Sequence, residues 1–386
     1  MLSIRTLSLM TLILAAPASA GGLTERQFQQ ISEDVFGPVI ETYDIPGIAI
    51  GLTLSGEQYF FTQGLADRKA AVAVDQDTLF ELGSNSKLFS AALAALAEQK
   101  GLLSLHDPVA KSLPELAGAA FDQITLADLA AHATGTLPLQ VPGDITDTPA
   151  LMAYLAQWRP GVDPTAFRSY SNVSIGLLGL IVGEKFGSSY ERAVETGLFP
   201  ALGLKNTYVT VPDAAMAHYA YGYARGDNSA IRVSPGMLDS EAYGIKSSIA
   251  DMTRFLDAHL GNLRLEKDLT AALARTRVSE YDTAHYAQAM IWEGYDWPVT
   301  TAQLEAGNAT EMAMQPQPLT RHAQEALDGA VFLNKTGATN GFGSYLAMIP
   351  SEQIGVVVLA NRNYPNPVRA AATLQLITAI LSAAAP

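Results

Sequence analysis

The chain of 386 residues contains no cysteine. This absence excludes disulfide bonds, a thiolate nucleophile and thiolate metal ligands. Stability must therefore come from a packed core, and a hydrophobic content of 48% supplies enough apolar side chains for a large one. A chain of this length is expected to divide its core between two lobes.

Basic residues and histidines are also sparse. The 24 Lys and Arg residues stand against 38 Asp and Glu residues, which leaves a net charge of -14. This balance argues against a nucleic-acid partner, because phosphate binding needs clustered basic side chains. The 6 histidines show neither His-x-His nor His-x-x-x-His spacing, so no metal site is predicted.

Long apolar runs are confined to the N terminus. Residues 1–20 contain Arg5, an apolar run over 7–16 and the ending Ala18-Ser19-Ala20, which is the pattern of a cleaved secretory signal peptide. That run is too short to cross a bilayer. No later segment approaches about 18 uninterrupted apolar residues, so we expect an exported, soluble protein without a membrane span.

Two β-rich runs near the N terminus and three near the C terminus predict one antiparallel sheet. The runs cover 47–53, 58–63, 331–336, 344–349 and 355–360. A helix that begins after Thr24 and another that begins at Pro367 are expected to cover this sheet.

Helical periodicity dominates the middle of the chain. It is present over 88–98, 126–132, 148–157, 174–186 and 249–260. We therefore predict an α/β (α+β) fold, in which an antiparallel sheet flanked by N- and C-terminal helices carries an inserted, mostly helical lobe. One catalytic domain would span 21–386, with a sheet lobe at about 21–85 and 300–386 and a helical lobe at about 86–299. The cleft between the lobes is the expected ligand site.

A serine and a lysine three residues apart form the first candidate catalytic pair. Ser84 and Lys87 lie at a predicted helix start, in Ser-Asn-Ser-Lys. A serine hydroxyl barely ionises at neutral pH and needs a neighbouring base, which a lysine with a depressed pKa supplies. An N-capping serine beside a solvated lysine is the structural alternative, and a Ser-x-x-Lys pattern arises by chance about once in a chain of this length.

Two further motifs contain candidate site residues that could act together with Ser84 and Lys87. Lys335-Thr336-Gly337 ends a predicted strand, where the lysine and threonine side chains offer groups that bind a carboxylate. Tyr170, in Tyr-Ser-Asn, is a poor base at its reference pKa of about 10, but two nearby ammonium groups stabilise a phenolate. The structural alternative for Lys335-Thr336-Gly337 is an ordinary strand end followed by a Gly-rich turn. The structural alternative for Tyr170 is a helix-cap or core residue.

The three motifs, in this order, resemble those of the serine β-lactamase and penicillin-binding protein superfamily. Tyrosine in the second motif is similar to the class C branch, and so are longer runs at 80–87, 107–116, 137–142, 233–244 and 359–369. The resemblance covers essentially the whole chain after the signal peptide. It implies a periplasmic, monomeric class C β-lactamase with the β-lactamase/transpeptidase-like fold, which needs no metal or other cofactor and acts on small β-lactam substrates.

The resemblance also implies a role for each matched residue. Ser84 would form the acyl-enzyme, Lys87 and Tyr170 would handle its proton, and Lys335 would complete the catalytic group. The backbone N–H groups of Ser84 and Ala338 would form the oxyanion hole. The other matched residues are expected to bind the substrate: Gln140, Asn172, Tyr243, Thr336, Gly337, Asn366 and Arg369. Whether Lys87 or Tyr170 is the acylation base stays open.

Other functions are compatible with the same short motifs. A DD-peptidase or an esterase would differ mainly in the rate at which the acyl-enzyme is released, and a β-lactam sensor would acylate without turnover. Gln140 in Leu-Pro-Leu-Gln-Val-Pro favours the lactamase. Asn334 stands where many relatives have histidine, Asn340 lies in a run that is usually richer in glycine, and 305–328 matches poorly. We expect these departures to affect substrate range and rate.

Overall fold

A computed structural model describes residues 22–118 and 120–385. The signal peptide predicted at 1–20 lies outside these residues. Within the described ranges the α-helices are α1 Glu25–Thr42, α2 Lys87–Gln99, α3 Val109–Ser112, α4 Leu126–Ala131, α5 Thr148–Gln157, α6 Asn172–Lys185, α7 Tyr190–Ala193, α8 Phe199–Leu202, α9 Asp239–Ala242, α10 Ile249–Leu260, α11 Lys267–Arg275, α12 Thr301–Gly307, α13 Glu311–Met314 and α14 Asn366–Ala384.

Short strands alternate with these helices in the middle of the chain, and long strands lie near its two ends. In the same described ranges the strands are β1 Gly47–Leu54, β2 Glu57–Asp67, β3 Val72–Ala73, β4 Phe80–Glu81, β5 Phe167–Arg168, β6 Thr207–Tyr208, β7 Gly222–Tyr223, β8 Ala230–Ile231, β9 Lys246–Ser247, β10 Val278–Asp282, β11 Ala287–Gln288, β12 Glu293–Asp296, β13 Gln317–Pro318, β14 Thr320–Ala326, β15 Val331–Ala338, β16 Gly343–Ile349 and β17 Ile354–Ala360.

The principal sheet has 10 strands in the order β14-β10-β11-β12-β15-β16-β17-β1-β2-β3. The five strands predicted from the sequence are neighbours at its centre, and every pairing among them is antiparallel. Strands β16 and β17 are buried along their whole length, because helices cover both faces of the sheet. The structure therefore confirms the predicted fold class.

Alternate side chains of β17 enter two separate cores. Val356 and Val358 pack with Ile377 of α14 on one face, whereas Val357 and Leu359 join the core of the helical lobe on the other. This alternation follows from the two-residue period of a strand. The central strands therefore hold the two lobes together.

The sheet lobe begins earlier in the chain than the predicted boundary at residue 300. Strands β10, β11 and β12 lie between 278 and 296, and β12 pairs with β15 through the register Glu293↔Asn334. These strands contain only 5, 2 and 4 residues. Such short segments show too little alternation for the sequence to predict a strand. Glu293 therefore lies in the sheet, beside the Lys-Thr-Gly strand.

The terminal helices are those expected from the sequence. The Thr24 hydroxyl accepts a hydrogen bond from the Gln27 backbone N–H at 3.2 Å, and the Gln27 side chain accepts one from the Thr24 N–H at 2.9 Å. This capping box begins α1 directly after Thr24, as predicted. Helix α14 has 19 residues and a mean hydropathy of 1.3 over its most apolar 18-residue window, so by length and composition it is apolar enough to cross a membrane. Its Leu376, Ile377 and Ile380 are fully buried against the sheet, which accounts for its apolar face.

Candidate active site

Ser84 lies in a 3₁₀ turn over Gly83–Ser86 that leads directly into α2. Its side chain is half-buried and makes no capping hydrogen bond to this turn, so the N-cap alternative does not describe it. Lys87 is the first residue of α2 and is fully buried. The Lys87 Nζ donates to Ser84 Oγ at 3.1 Å and to the Ala242 carbonyl at 2.7 Å. The amine therefore lies within proton-transfer reach of the serine hydroxyl.

Two glycines allow the Ser84 turn to lie directly against β15. Gly83 has a φ of +52°, and a Cβ at this position would stand 2.5 Å from the Ala338 backbone nitrogen. A Cβ on Gly337 would stand 2.1 Å from the Leu82 carbonyl oxygen. Only glycine permits both approaches. The contact brings the backbone amides of Ser84 and Ala338 to the same part of the cleft, as an oxyanion hole requires.

Tyr170 lies in the loop between β5 and α6, where the Ser171 hydroxyl caps α6 by accepting the Ser174 N–H at 3.0 Å. Three cationic groups surround the Tyr170 ring. The Lys87 Nζ is 5.1 Å from the ring centroid, the Lys335 Nζ is 5.3 Å away and the Arg168 guanidinium carbon is 5.3 Å away. The structure therefore brings the three sequence motifs together around one aromatic ring.

Burial and neighbouring charge alter the acidity of this group. Burial lowers the pKa of Lys87 from 10.5 to about 8, because an ammonium ion loses its hydration in the protein interior. Burial alone would raise the pKa of Tyr170, but the positive charges of Lys87 and Lys335 outweigh it and lower that pKa from 10.0 to about 8. Both side chains can therefore exchange protons near neutral pH.

The cleft continues on both sides of Ser84 and Ala338. One side is lined by Lys335, Thr336, Gly337 and Asn366, together with Tyr170. The other side is lined by Gln140, Asn172 and Tyr243. The residues expected to face a substrate carboxylate therefore lie on the first side, and those expected to hold its acylamide side chain lie on the second.

Arg369 does not line either side of the cleft. It is fully buried beneath the Lys-Thr-Gly strand, where it donates to the Gly337 carbonyl at 2.7 Å and to the Asn363 Oδ1 at 2.6 Å. Any effect of Arg369 on a substrate is therefore transmitted through the strand end that it supports.

Glu293 is a site residue that sequence reasoning missed. It is buried and lines the carboxylate side of the cleft. Its Oε1 lies 3.6 Å from the Lys335 Nζ and 3.4 Å from the Arg168 Nη2. The sequence does not predict β12 as a strand, so it also does not predict that Glu293 lies in the site. The carboxylate balances part of the positive charge around Tyr170.

The two asparagines that depart from the family pattern occupy different environments. Asn334 is fully buried opposite Glu293, and neither polar atom of its side chain has a hydrogen-bond partner among the described residues. Asn340 is exposed and lines the acylamide side of the cleft. Asn340 therefore lies where it can contact a substrate, whereas Asn334 is buried within β15 and does not line the cleft.

Comparison with known proteins identifies the family. A family model described as Beta-lactamase matches residues 25–379. The solved class C β-lactamase of Rhodobacter sphaeroides is 50% identical, with a TM-score of 0.89 over 91% of this chain and 99% of that one. This chain belongs to the class C β-lactamase family. A solved β-lactamase from Sulfitobacter sp. EE-36 is 51% identical, with a TM-score of 0.92 over 94% of this chain and 99% of that one.

The relationship extends to more distant β-lactamase sequences. The β-lactamase of Pseudomonas fluorescens is 39% identical over 355 residues, which are 91% of this chain and 98% of that protein. The chain is a serine β-lactamase, an enzyme that hydrolyses the amide bond of β-lactams. The DD-peptidase, esterase and sensor alternatives are not favoured.

Proposed function

We propose that Ser84 is the nucleophile that opens the β-lactam ring and carries the acyl group. Its Oγ bonds to the lactam carbonyl carbon, the lactam C–N bond breaks, and the serine proton passes through the Lys87 and Tyr170 group to the leaving nitrogen. The 3.1 Å contact between Lys87 Nζ and Ser84 Oγ is the observation that carries this proposal. Water then hydrolyses the ester and releases Ser84.

Tyr170 has the central position in the proposed proton path. Its pKa of about 8 allows the phenol to donate a proton to the leaving nitrogen and then, as phenolate, to activate the hydrolytic water. Lys87 and Lys335 act by stabilising this phenolate, and Lys87 also contacts Ser84 directly. The pair titrates as a unit, so either group can serve as the base during acylation.

Substrate binding follows from the two sides of the cleft. Lys335, Thr336 and Asn366 bind the carboxylate common to penicillins and cephalosporins, and Gly337 lets the ligand approach the strand. Gln140, Asn172 and Tyr243 hold the acylamide side chain. The resemblance to the class C family supports an activity of the cephalosporinase type. The backbone amides of Ser84 and Ala338 bind the oxyanion, and Arg369 keeps the Ala338 strand end in place.

The cellular setting is part of the same proposal. Residues 1–20 direct export and are removed, and residues 21–386 act as one catalytic domain. The enzyme works in the periplasm as a monomer, where it confers resistance to β-lactam antibiotics. The leader pattern and the family support this location.

Trapping of the acyl-enzyme tests the nucleophile. Intact-mass spectrometry of the wild-type protein mixed with a slowly hydrolysed β-lactam is expected to show one adduct, and peptide mapping should locate it on Ser84. Ser84→Ala should show none. Ser86→Ala is a matched control, because the Ser86 hydroxyl belongs to the same turn but accepts the Ile245 N–H at 3.1 Å. An adduct of equal yield on Ser84→Ala would contradict the assignment.

A further inference from the structure

One buried histidine that is not among the proposed catalytic residues contacts Tyr170 directly. His132 follows α4 with a φ of +58°, and only 1% of its surface is exposed. Its ring centroid lies 4.5 Å from that of Tyr170, at an interplanar angle of 47°. The contact covers part of the aromatic ring around which Lys87 and Lys335 converge.

His132 also holds the chain on both sides of Tyr170. The Ser169 N–H donates to the His132 carbonyl at 2.9 Å, and the Ser171 N–H donates to the His132 Nδ1 at 3.4 Å. One residue therefore anchors the position before the tyrosine, the position after it and the tyrosine ring itself. His132 directly follows α4, and the buried Leu126 and Leu129 hold this helix in place.

The ring of His132 is held in one protonation state. Because Nδ1 accepts the Ser171 N–H, the proton of the neutral imidazole is on Nε2, which is buried without a partner among the described residues. Burial and the charges of Arg168, Lys87 and Lys335 lower the pKa of His132 well below its usual range. The ring therefore stays neutral and adds no fourth cation beside the phenol.

We propose that His132 is a positioning residue for Tyr170, whose ring contact and Nδ1 acceptor hold the phenol between the two ammonium groups. The proposal rests on the role proposed above for Tyr170. His132 has no place in the lining of either side of the cleft, so it acts on the reaction through the tyrosine.

Two substitutions distinguish the ring contact of His132 with Tyr170 from its Nδ1 hydrogen bond to Ser171. His132→Asn keeps a residue that tolerates positive φ and offers an oxygen acceptor, but it removes the ring. His132→Phe keeps a ring and removes the acceptor. We expect kcat for a cephalosporin to fall about tenfold or more, because a displacement of ~1 Å can cost about 100-fold. KM should change less than about twofold, since substrate binding groups are untouched.

A second buried histidine supplies the control. His259 is also buried, and its ring packs on Phe255 and Trp292 at centroid distances of 4.7 and 5.2 Å. His259→Asn removes a comparable ring away from Tyr170 and should leave kcat unchanged. Loss of kcat in either His132 variant without loss in this control supports the inference. Full kcat in both folded His132 variants, or an equal loss in the control, overturns it.

Tyr170→Phe separates this inference from the proposed function. If Tyr170→Phe retains turnover, the proposed role of Tyr170 is wrong whatever His132 does. If Tyr170→Phe is inactive and the His132 variants are fully active, only the inference fails. Addition of His132→Asn to Tyr170→Phe should cause no further loss of residual rate, because a residue that acts through the tyrosine has nothing left to position.

Discussion

At the scale of single residues, the proposed catalytic group consists of ionisable side chains that are buried around Tyr170. Lys87 is fully buried, and its pKa of about 8 lies below its ordinary 10.5 because burial disfavours the ammonium ion. Lys335 and Arg168 add positive charge around the same tyrosine ring. The arrangement supplies groups that exchange protons near neutral pH, at a cost in folding stability.

Removal of the buried ammonium should stabilise the fold while it abolishes turnover. We expect Lys87→Met to raise the free energy of unfolding at pH 7 by about 1–3 kcal/mol, because a lowered lysine pKa measures the penalty on its charged form. Urea unfolding monitored by circular dichroism measures this change. Lys69→Met is the control, since Lys69 is exposed and its loss should change stability by less than about 0.5 kcal/mol.

The sign of this effect predicts its pH dependence. The folded-state pKa of Lys87 is about 8, and the unfolded value is 10.5. The penalty on the wild type is therefore complete below pH 8 and disappears as the pH rises from about 8 to 10.5. The advantage of Lys87→Met should shrink over this window. An advantage that grows with pH, or a destabilised variant at pH 7, would contradict the buried-charge account.

At the scale of elements, the site depends on a 3₁₀ turn pressed against the end of a strand. Asn85 in that turn donates to Ser344 Oγ at 2.7 Å, and Ser344 Oγ donates to the Leu82 carbonyl at 2.7 Å. These bonds tie the turn to β16, and the glycines at 83 and 337 allow the backbones to touch. The proposed oxyanion hole therefore depends on the packing between these two elements.

A single methyl group at this contact should impair catalysis more than folding. Gly83→Ala places a Cβ 2.5 Å from the Ala338 nitrogen, so we expect kcat to fall at least ~10-fold, since loss of one oxyanion donor costs about 100- to 1,000-fold. Gly101→Ala is the matched control. Gly101 also has a positive φ, +68°, but a Cβ there meets nothing within 4 Å.

Both glycine variants place an alanine in the left-handed region, which costs roughly 1–2 kcal/mol. Thermal unfolding should show a larger loss for Gly83→Ala, because its Cβ also meets backbone atoms of Ala338 within 2.6 Å. Steady-state kinetics should separate them, with Gly101→Ala near the wild-type kcat. Equal kcat values for the two variants would show that the turn and the strand do not need this close approach.

Element lengths also decided what the sequence could predict. The run at 331–336 begins with Val-Phe-Leu and the run at 355–360 contains Val-Val-Val-Leu, and they appear as β15 and β17. The 4-residue β12 has no such signal, so Glu293 was not placed beside Lys335. Likewise, no spacing in the chain indicates that His132 packs on Tyr170, because that contact depends on how α4 and the loop before α6 meet.

At the scale of the whole molecule, the active site exists only because distant segments converge between two lobes. Ser84, Tyr170 and Lys335 belong to a turn, a loop and a strand that are far apart in the chain. Local periodicity predicted these elements but could not bring them together. Their convergence is expected only from the ordered motifs and their resemblance to a family, and the structure shows it in the contacts of Lys87 and Lys335 with the Tyr170 ring.

Steady-state hydrolysis of a chromogenic cephalosporin by the wild-type protein and Ser84→Ala is the strongest single test of Ser84 as the nucleophile of a β-lactamase. We expect many turnovers per wild-type molecule and none for Ser84→Ala, with the same circular dichroism spectrum for both. A single stoichiometric burst from the wild type, or turnover by Ser84→Ala at the wild-type rate, would contradict it.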